Sequence, residues 1–135
     1  MSAPDGIRYT QDHVWCRLEW GHAVLGITEH GQYQLGPISH VELASVGDVV
    51  QKGTSLGTIE SAKAVSEILS PLTGRVTAVN DLLSHACEVL NADPCGNGWM
   101  LQLEWTDAAE FGALMDEIDY RALLDGGAGP QKRQR

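Results

Sequence analysis

Residues 59–67 read Ile59-Glu60-Ser61-Ala62-Lys63-Ala64-Val65-Ser66-Glu67, and the rest of the chain is best understood outward from them. A lysine sits in the middle of small residues, between two strand-like runs, with Glu60 and Glu67 on either side. Small neighbours leave its ammonium protruding. A lysine that forms a Schiff base needs burial or a second cation to lower its pKa. The nearby charges here are carboxylates, which favour the protonated amine. Lys63 is therefore poorly set up as a nucleophile of its own and well set up as an acceptor for a modifying enzyme. Around it, from 46 to 79, Gly47-Asp48, Gly53, Gly57, Pro71 and Gly74 interrupt short apolar runs such as Val49-Val50 and Ile68-Leu69. Strands this short, with a turn every few residues, predict a small sandwich or barrel. Val46-Gly-Asp-Val-Val before the lysine is loosely echoed by Thr73-Gly-Arg-Val-Thr after it. This suggests two similar halves about a central hairpin.

Towards the N-terminus, 13–18 and 23–27 read as strands joined by a turn at 19–22. Thr28 caps a helix over 29–35 that stops at Gly36-Pro37. Residues 38–43 alternate as a strand, Ile38, His40 and Glu42 against Ser39, Val41 and Leu43. Beyond the glycine-punctuated region, Asn80 or Asp81 caps a helix reaching about Leu90. Asp93-Pro-Cys-Gly-Asn-Gly98 is a turn, and 99–105 is an alternating strand. Asp107 and Glu110 form a capping box for a C-terminal helix, about 107–125. Its apolar face comprises Phe111, Leu114, Met115, Ile118, Leu123 and Leu124, and it restarts at Asp116 after a slight break.

The 135 residues carry 18 acidic and 9 basic groups, a formal charge of −9. Three basic groups lie in the tail 126–135, expected to be disordered, leaving six against 18 on the body, a formal −12. Such a body repels phosphates and anionic membranes and favours partners with basic faces. No apolar run approaches the roughly 18 residues of a membrane span, and the first residues lack a targeting pattern. A cytoplasmic protein with neither nucleic-acid nor membrane partners is expected. The three cysteines are unpaired by spacing and the five histidines unpatterned, so neither a disulfide framework nor a metal site is indicated. No P-loop, dinucleotide fingerprint or nucleophile elbow is present.

Gly26-Ile-Thr-Glu-His-Gly-Gln-Tyr-Gln-Leu-Gly36, Val41-Glu-Leu43, Val46-Gly-Asp48, Glu60-Ser-Ala-Lys-Ala64, Ser70-Pro-Leu-Thr-Gly74 and Asp93-Pro-Cys-Gly-Asn-Gly-Trp99 together resemble the glycine cleavage system H protein family from about Tyr9 to Leu124. The resemblance implies a mostly β (α+β) barrel-sandwich hybrid: a single lipoyl domain over 1–125. It also implies a non-catalytic carrier with lipoate bound to Lys63 as N6-lipoyl-lysine at a hairpin tip. Gly47 lies sixteen residues before Lys63 and Gly74 eleven after, as lipoyl domains place them. A biotinyl carrier would have methionines beside the lysine, where Ala62 and Ala64 stand. The arm's surroundings are expected to include Gly47, Glu60, Glu67, Gly74, Asp12, His13 and Val14. No metal is implied.

The chain departs from the family pattern at Asp12-His13-Val14-Trp15, where Ser-His-Glu-Trp is usual. The resemblance implies that the glutamate, a neighbouring serine and an acid after the lysine hold the aminomethyl group. Val14 cannot pair with an ammonium, Asp12 replaces the serine, and Glu67 stands where Asp is common. Cys16 and Cys95 replace a valine and an aromatic, and each is expected to be a small semi-buried hydrophobe. The loss of the glutamate tilts the expectation towards the H-like lipoate-binding proteins of cytoplasmic sulfur oxidation, with a heterodisulfide-reductase-like complex as partner. The alternative is a glycine cleavage H protein serving the decarboxylase, aminomethyltransferase and dihydrolipoyl dehydrogenase. Either requires a lipoate-attaching enzyme.

Overall fold

A computed structural model describes residues 7–19, 21–105 and 108–126. Strands β1 (Ile7–Tyr9), β2 (Val14–Glu19) and β3 (His22–Ile27) lead into helix α1 (Glu29–Leu35) and strand β4 (Ile38–Leu43). Then follow β5 (Val49–Val50), β6 (Ser55–Ser61), β7 (Val65–Leu69) and β8 (Gly74–Val79). A 3-10 helix (Asp81–Ser84), α2 (Val89–Ala92), β9 (Leu101–Trp105), α3 (Ala108–Gly112) and α4 (Glu117–Gly126) complete the chain. The strands form two antiparallel sheets, one ordered β1-β2-β3-β9-β8-β5 and one ordered β4-β6-β7. The expected mostly β sandwich architecture is therefore present. One core fills the space between the sheets, with Val14, Cys16 and Leu25 from the larger and Val41, Ile59 and Ile68 from the smaller.

The segments that echo one another in sequence are neighbours in space. Val49 pairs with Arg75 and Val50 with Gly74 in antiparallel register. Gly47 N donates to Val76 O and Val76 N to Asp48 O, both at 2.8 Å. Gly47 sits in the turn before β5 at φ 98°, a conformation open to glycine at little cost.

Strict alternation in β4 gives way to a register shift between Ile38 and His40 opposite β6. Ile38 and Val41 are the buried positions, not Ile38, His40 and Glu42. A bulge of this kind rotates side chains out of phase. His13, expected to begin β2, has φ 70° and lies outside the strand. The helix expected from Asn80 to Leu90 is two pieces. Asn80 caps the first by accepting from Leu82 N, but His85, Val89, Leu90 and Asn91 each donate to the carbonyl three residues back, in the tighter 3-10 manner. Strand β9 begins at Leu101, two residues later than expected.

The C-terminal helix is broken more decisively than its apolar spacing suggests. Met115 leaves the helix to bridge Tyr9, with N–H to carbonyl bonds of 2.8 and 3.0 Å. That bridge resets the phase of α4. Ile118, expected on the buried face, is 78% exposed, and Tyr120 takes the buried place at 6%. Both carboxylate oxygens of Glu110 accept from Thr73, at 2.7 and 2.9 Å. The other half of the expected capping box, Asp107, lies outside the described residues, as does the tail 127–135. No helix among the described residues is long and apolar enough to cross a membrane.

Cys16, expected to be semi-buried, is fully buried, and burial pushes its thiol up to about 12. Cys95 is instead exposed. The loop 93–98 holds it at the surface because Trp15, beneath, takes the interior. The Trp15 ring is 2% exposed and its Nε1 donates to Pro94 O at 3.1 Å. Trp15 lies flat on Gly26, where a Cβ would come within 2.6 Å of the ring. Gly26→Ala is expected to destabilise the fold by about 1–3 kcal/mol by overpacking. Chemical denaturation checks this, and an unchanged midpoint would contradict the packing described.

Candidate functional site

Hairpin β6–β7 carries Lys63 at its tip. Ile59, facing Val41 on one side and Ser66 on the other, is fully buried and roots the hairpin in the core. The turn is closed by Ser61 N donating to Ala64 O at 2.9 Å. Ser61 Oγ in turn accepts from Lys63 N and Ala64 N, both at 3.3 Å. A serine side chain bonded to backbone in this way stiffens a tight turn. Lys63 itself is exposed.

The lysine leans over Gly36, the C-cap of α1. A Cβ on Gly36 would stand 3.3 Å from Lys63 Cε and 3.7 Å from its Nζ. Gly36 is at φ 77°, so its lack of a side chain serves both the cap and the path of the lysine. Asn91 fixes this end of α1, donating from Nδ2 to Gly36 O and Gln32 Oε1 at 2.9 Å each. Its Oδ1 accepts from Ile38 N, also at 2.9 Å.

A cleft of about 320 Å³ opens beside the lysine between α1 and β7. α1 supplies Gly31, Gln34 and Leu35; β7 supplies Val65, Ser66 and Ile68; Asp12 and His13 close the far end. Gly31 permits the approach of that end, since a Cβ there would come 3.1 Å from His13 Cβ. His13 Nδ1 lies 2.8 Å from Tyr120 Oη, and Tyr120 Oη lies 2.7 Å from Thr28 Oγ1, which caps α1. The Tyr120 ring stacks on Tyr9 with centroids 4.6 Å apart. Burial, then the neighbouring His30, hold the His13 imidazole below its ordinary pKa, opposed by Asp12. A larger groove of about 400 Å³ beside Lys52 also has Asp12 in its wall but does not include Lys63.

The expected site residues separate into three groups. Asp12 and His13 meet beside the cleft that Lys63 overlooks. Glu60 and Glu67 do not enter it. They pair with Val65 and Thr58 on the face of the hairpin opposite Ile59 and Ser66. That outer face also carries His40 and Glu42, 3.5 Å apart. Val14, Gly47 and Gly74 are structural neighbours of the core and sheet. Val14 is 1% exposed, packed in the core beside the cleft end rather than lining it. Gly47 and Gly74 belong to the paired segments of the six-stranded sheet. Tyr120, Asn91 and Gly31 shape the cleft without having been singled out in the sequence, and Gly36 was read only as a helix stop. Thr28 and Gly36, recognisable as the cap and stop of α1, are the parts that local sequence signalled.

The Lys63 side chain thus leaves an exposed tip and passes over Gly36, next to a cleft whose lining begins at the neighbouring Ala64. Among the described residues no group of His, Cys, Asp or Glu is arranged to hold a metal ion. The family model for the glycine cleavage H-protein matches residues 7–126. A glycine cleavage system H protein of Anaeromyxobacter sp. (strain K) is 46% identical over 125 residues, covering 93% of this chain and 98% of the relative. One of Listeria monocytogenes (serotype 4b, strain CLIP80459) is also 46% identical, over 93% of this chain and 100% of the relative. The crystal structure of a glycine cleavage system H protein from Mycobacterium marinum superposes with a TM-score of 0.79 at 30% identity, covering 90% of this chain and 97% of that one. These similarities lend no support to the sulfur-oxidation branch; the glycine-cleavage alternative fits them better. The cofactor of such proteins is covalently attached lipoate, which the tip and its cradle accommodate. Match, identity and fold together place the chain in the glycine cleavage H-protein family.

Proposed function

We propose that this chain is the lipoyl carrier of a glycine cleavage system, with lipoate in amide linkage to Lys63 Nζ. The observation that carries this reading is Lys63 itself: exposed at a hairpin tip closed by Ser61, with its side chain lying over Gly36 beside a cleft. The amide removes the ammonium charge. The attached dithiolane supplies reversible sulfur chemistry and carries an amine cargo between enzymes. The protein contributes presentation and confinement, which raise the effective concentration of the arm at each docked enzyme. Natural partners on this reading are a lipoate-attaching enzyme and the glycine cleavage enzymes. The outer face with Glu42, Glu60 and Glu67 offers them an acidic surface near the tip.

An amine cargo taken into a cleft is costly without a counter-charge. Among the described residues Asp12 is the one carboxylate in the lining, so it serves that role in place of a glutamate at position 14. Glu67, on the outer face, does not.

Chain produced in a lipoylating host should show a single lipoyl adduct by intact mass, and Lys63→Arg should abolish it. An unmodified mass in the presence of a competent ligase would overturn the reading. The lipoylated chain added to glycine decarboxylase should support exchange of bicarbonate into glycine. Asp12→Asn should lower that exchange by about 1 kcal/mol, roughly five-fold. Undiminished exchange would remove Asp12 from the site.

A further inference from the structure

His13 is the one non-glycine residue with a left-handed backbone among those described, at φ 70°. Such a conformation persists where the surroundings over-determine it. His13 O accepts from Thr28 N at 2.9 Å. Its ring packs 4.7 Å from that of His30. Its Nδ1 meets Tyr120 Oη, which meets Thr28 Oγ1, which accepts from Gly31 N at 3.1 Å.

Counting protons gives this chain a direction. Thr28 is 4% exposed, and a stranded hydroxyl hydrogen there is unfavourable. If Thr28 donates to Tyr120 Oη and Tyr120 donates to His13 Nδ1, both hydroxyl hydrogens have an acceptor. The reverse order leaves the Thr28 hydrogen with no acceptor among the described residues. Nδ1 is then an acceptor, and the neutral ring carries its hydrogen on Nε2. That nitrogen has no partner among the described residues, and His13 lines the cleft.

We propose that His13 is a positioning residue: its Nε2–H donates a hydrogen bond to the reduced sulfur at the end of the arm on Lys63 and favours the thiolate. This rests on the lipoyl reading above. The reach agrees. From lysine Cα to sulfur the arm has about twelve single bonds, which extend about 14 Å at the advance per bond of an extended chain. The β7 wall from Ala64 to Ile68 is about 13 Å long. Lys63 Nζ, five bonds along that arm, lies beside Gly36, and His13 packs on Gly31; α1 rises about 7.5 Å between those glycines, within the roughly 8 Å left to the sulfur. On ionisation the thiol proton passes to solvent, and the Nε2 hydrogen stays on His13. The titratable groups facing His13 are Asp12 on its own loop, His30 on α1 and Tyr120 on α4; β7 presents none to the cleft. Charging the ring would put a hydrogen on Nδ1, reverse the chain and strand Thr28. The donor is therefore the neutral ring, present at and above neutral pH.

The unmodified chain, labelled with ¹⁵N, tests the tautomer. Histidine NMR should show His13 as the Nε2–H form, and Tyr120→Phe, which keeps the stacking on Tyr9, should release it to a mixture. The Nδ1–H form in the parent chain would overturn the proposal. In the lipoylated, reduced chain, alkylation of the arm against pH is followed by peptide mass spectrometry. The midpoint of that profile is independent of how accessible the arm is. His13→Phe and Tyr120→Phe should each raise it by about half a unit, a roughly three-fold loss of thiolate at fixed pH. Midpoints unchanged in Tyr120→Phe overturn the proposal even if His13→Phe fails to fold. A chain that takes no lipoyl group fails the functional reading instead, and the tautomer is still measured.

Discussion

A seven-residue helix that fully buries none of its side chains cannot stand by itself. α1 is such a helix, and the candidate site depends on it because it forms one wall of the cleft. It is held at both ends by polar side chains from distant parts of the chain. At the N-terminus, Thr28 Oγ1 satisfies Gly31 N and is itself bonded to Tyr120 from α4. At the C-terminus, Asn91 from α2 takes Gly36 O and Gln32. With its ends fixed, α1 needs no buried face and can leave one side open to an arm.

The opposite wall is held differently. β7 is an edge strand of the three-stranded sheet, rooted through Ile59 and Ile68 in the common core. The tip beyond it is closed by Ser61 rather than by packing. A root packed in the core and a small, exposed tip leave the lysine accessible while fixing where the hairpin stands. Gly31 and Gly36 set the closeness of both approaches, one to His13 and one to Lys63.

Charge divides between two faces of the same hairpin. Glu60 and Glu67 flank Lys63 in sequence, yet alternation along the strands sends both to the outer face with Glu42. The cleft keeps Asp12 as its carboxylate and a histidine whose pKa burial and His30 lower. Acidic side chains near a lysine in sequence thus lie on the outer face of the hairpin, away from the cleft.

Local patterns determined much of this protein. Helix α1 and strand β4 fall where Thr28, Gly36-Pro37 and the apolar spacing put them, because caps and glycine stops act over a few residues. The lysine between two strand-like runs, with spaced glycines around it, was also visible in the order of residues. What only the tertiary structure decided involves contacts between residues far apart in the chain. The Tyr9–Met115 bridge resets α4 and exchanges Ile118 for Tyr120 at the buried position. The Trp15 ring on Gly26 leaves Cys95 outside. Sheet pairing, not closeness to Lys63 in sequence, turns Glu67 away from the cleft that the distant Asp12 and His13 line. Periodicity registers neighbours within a turn or a strand; a hydroxyl reaching across 92 residues from Tyr120 to Thr28 has no local signature.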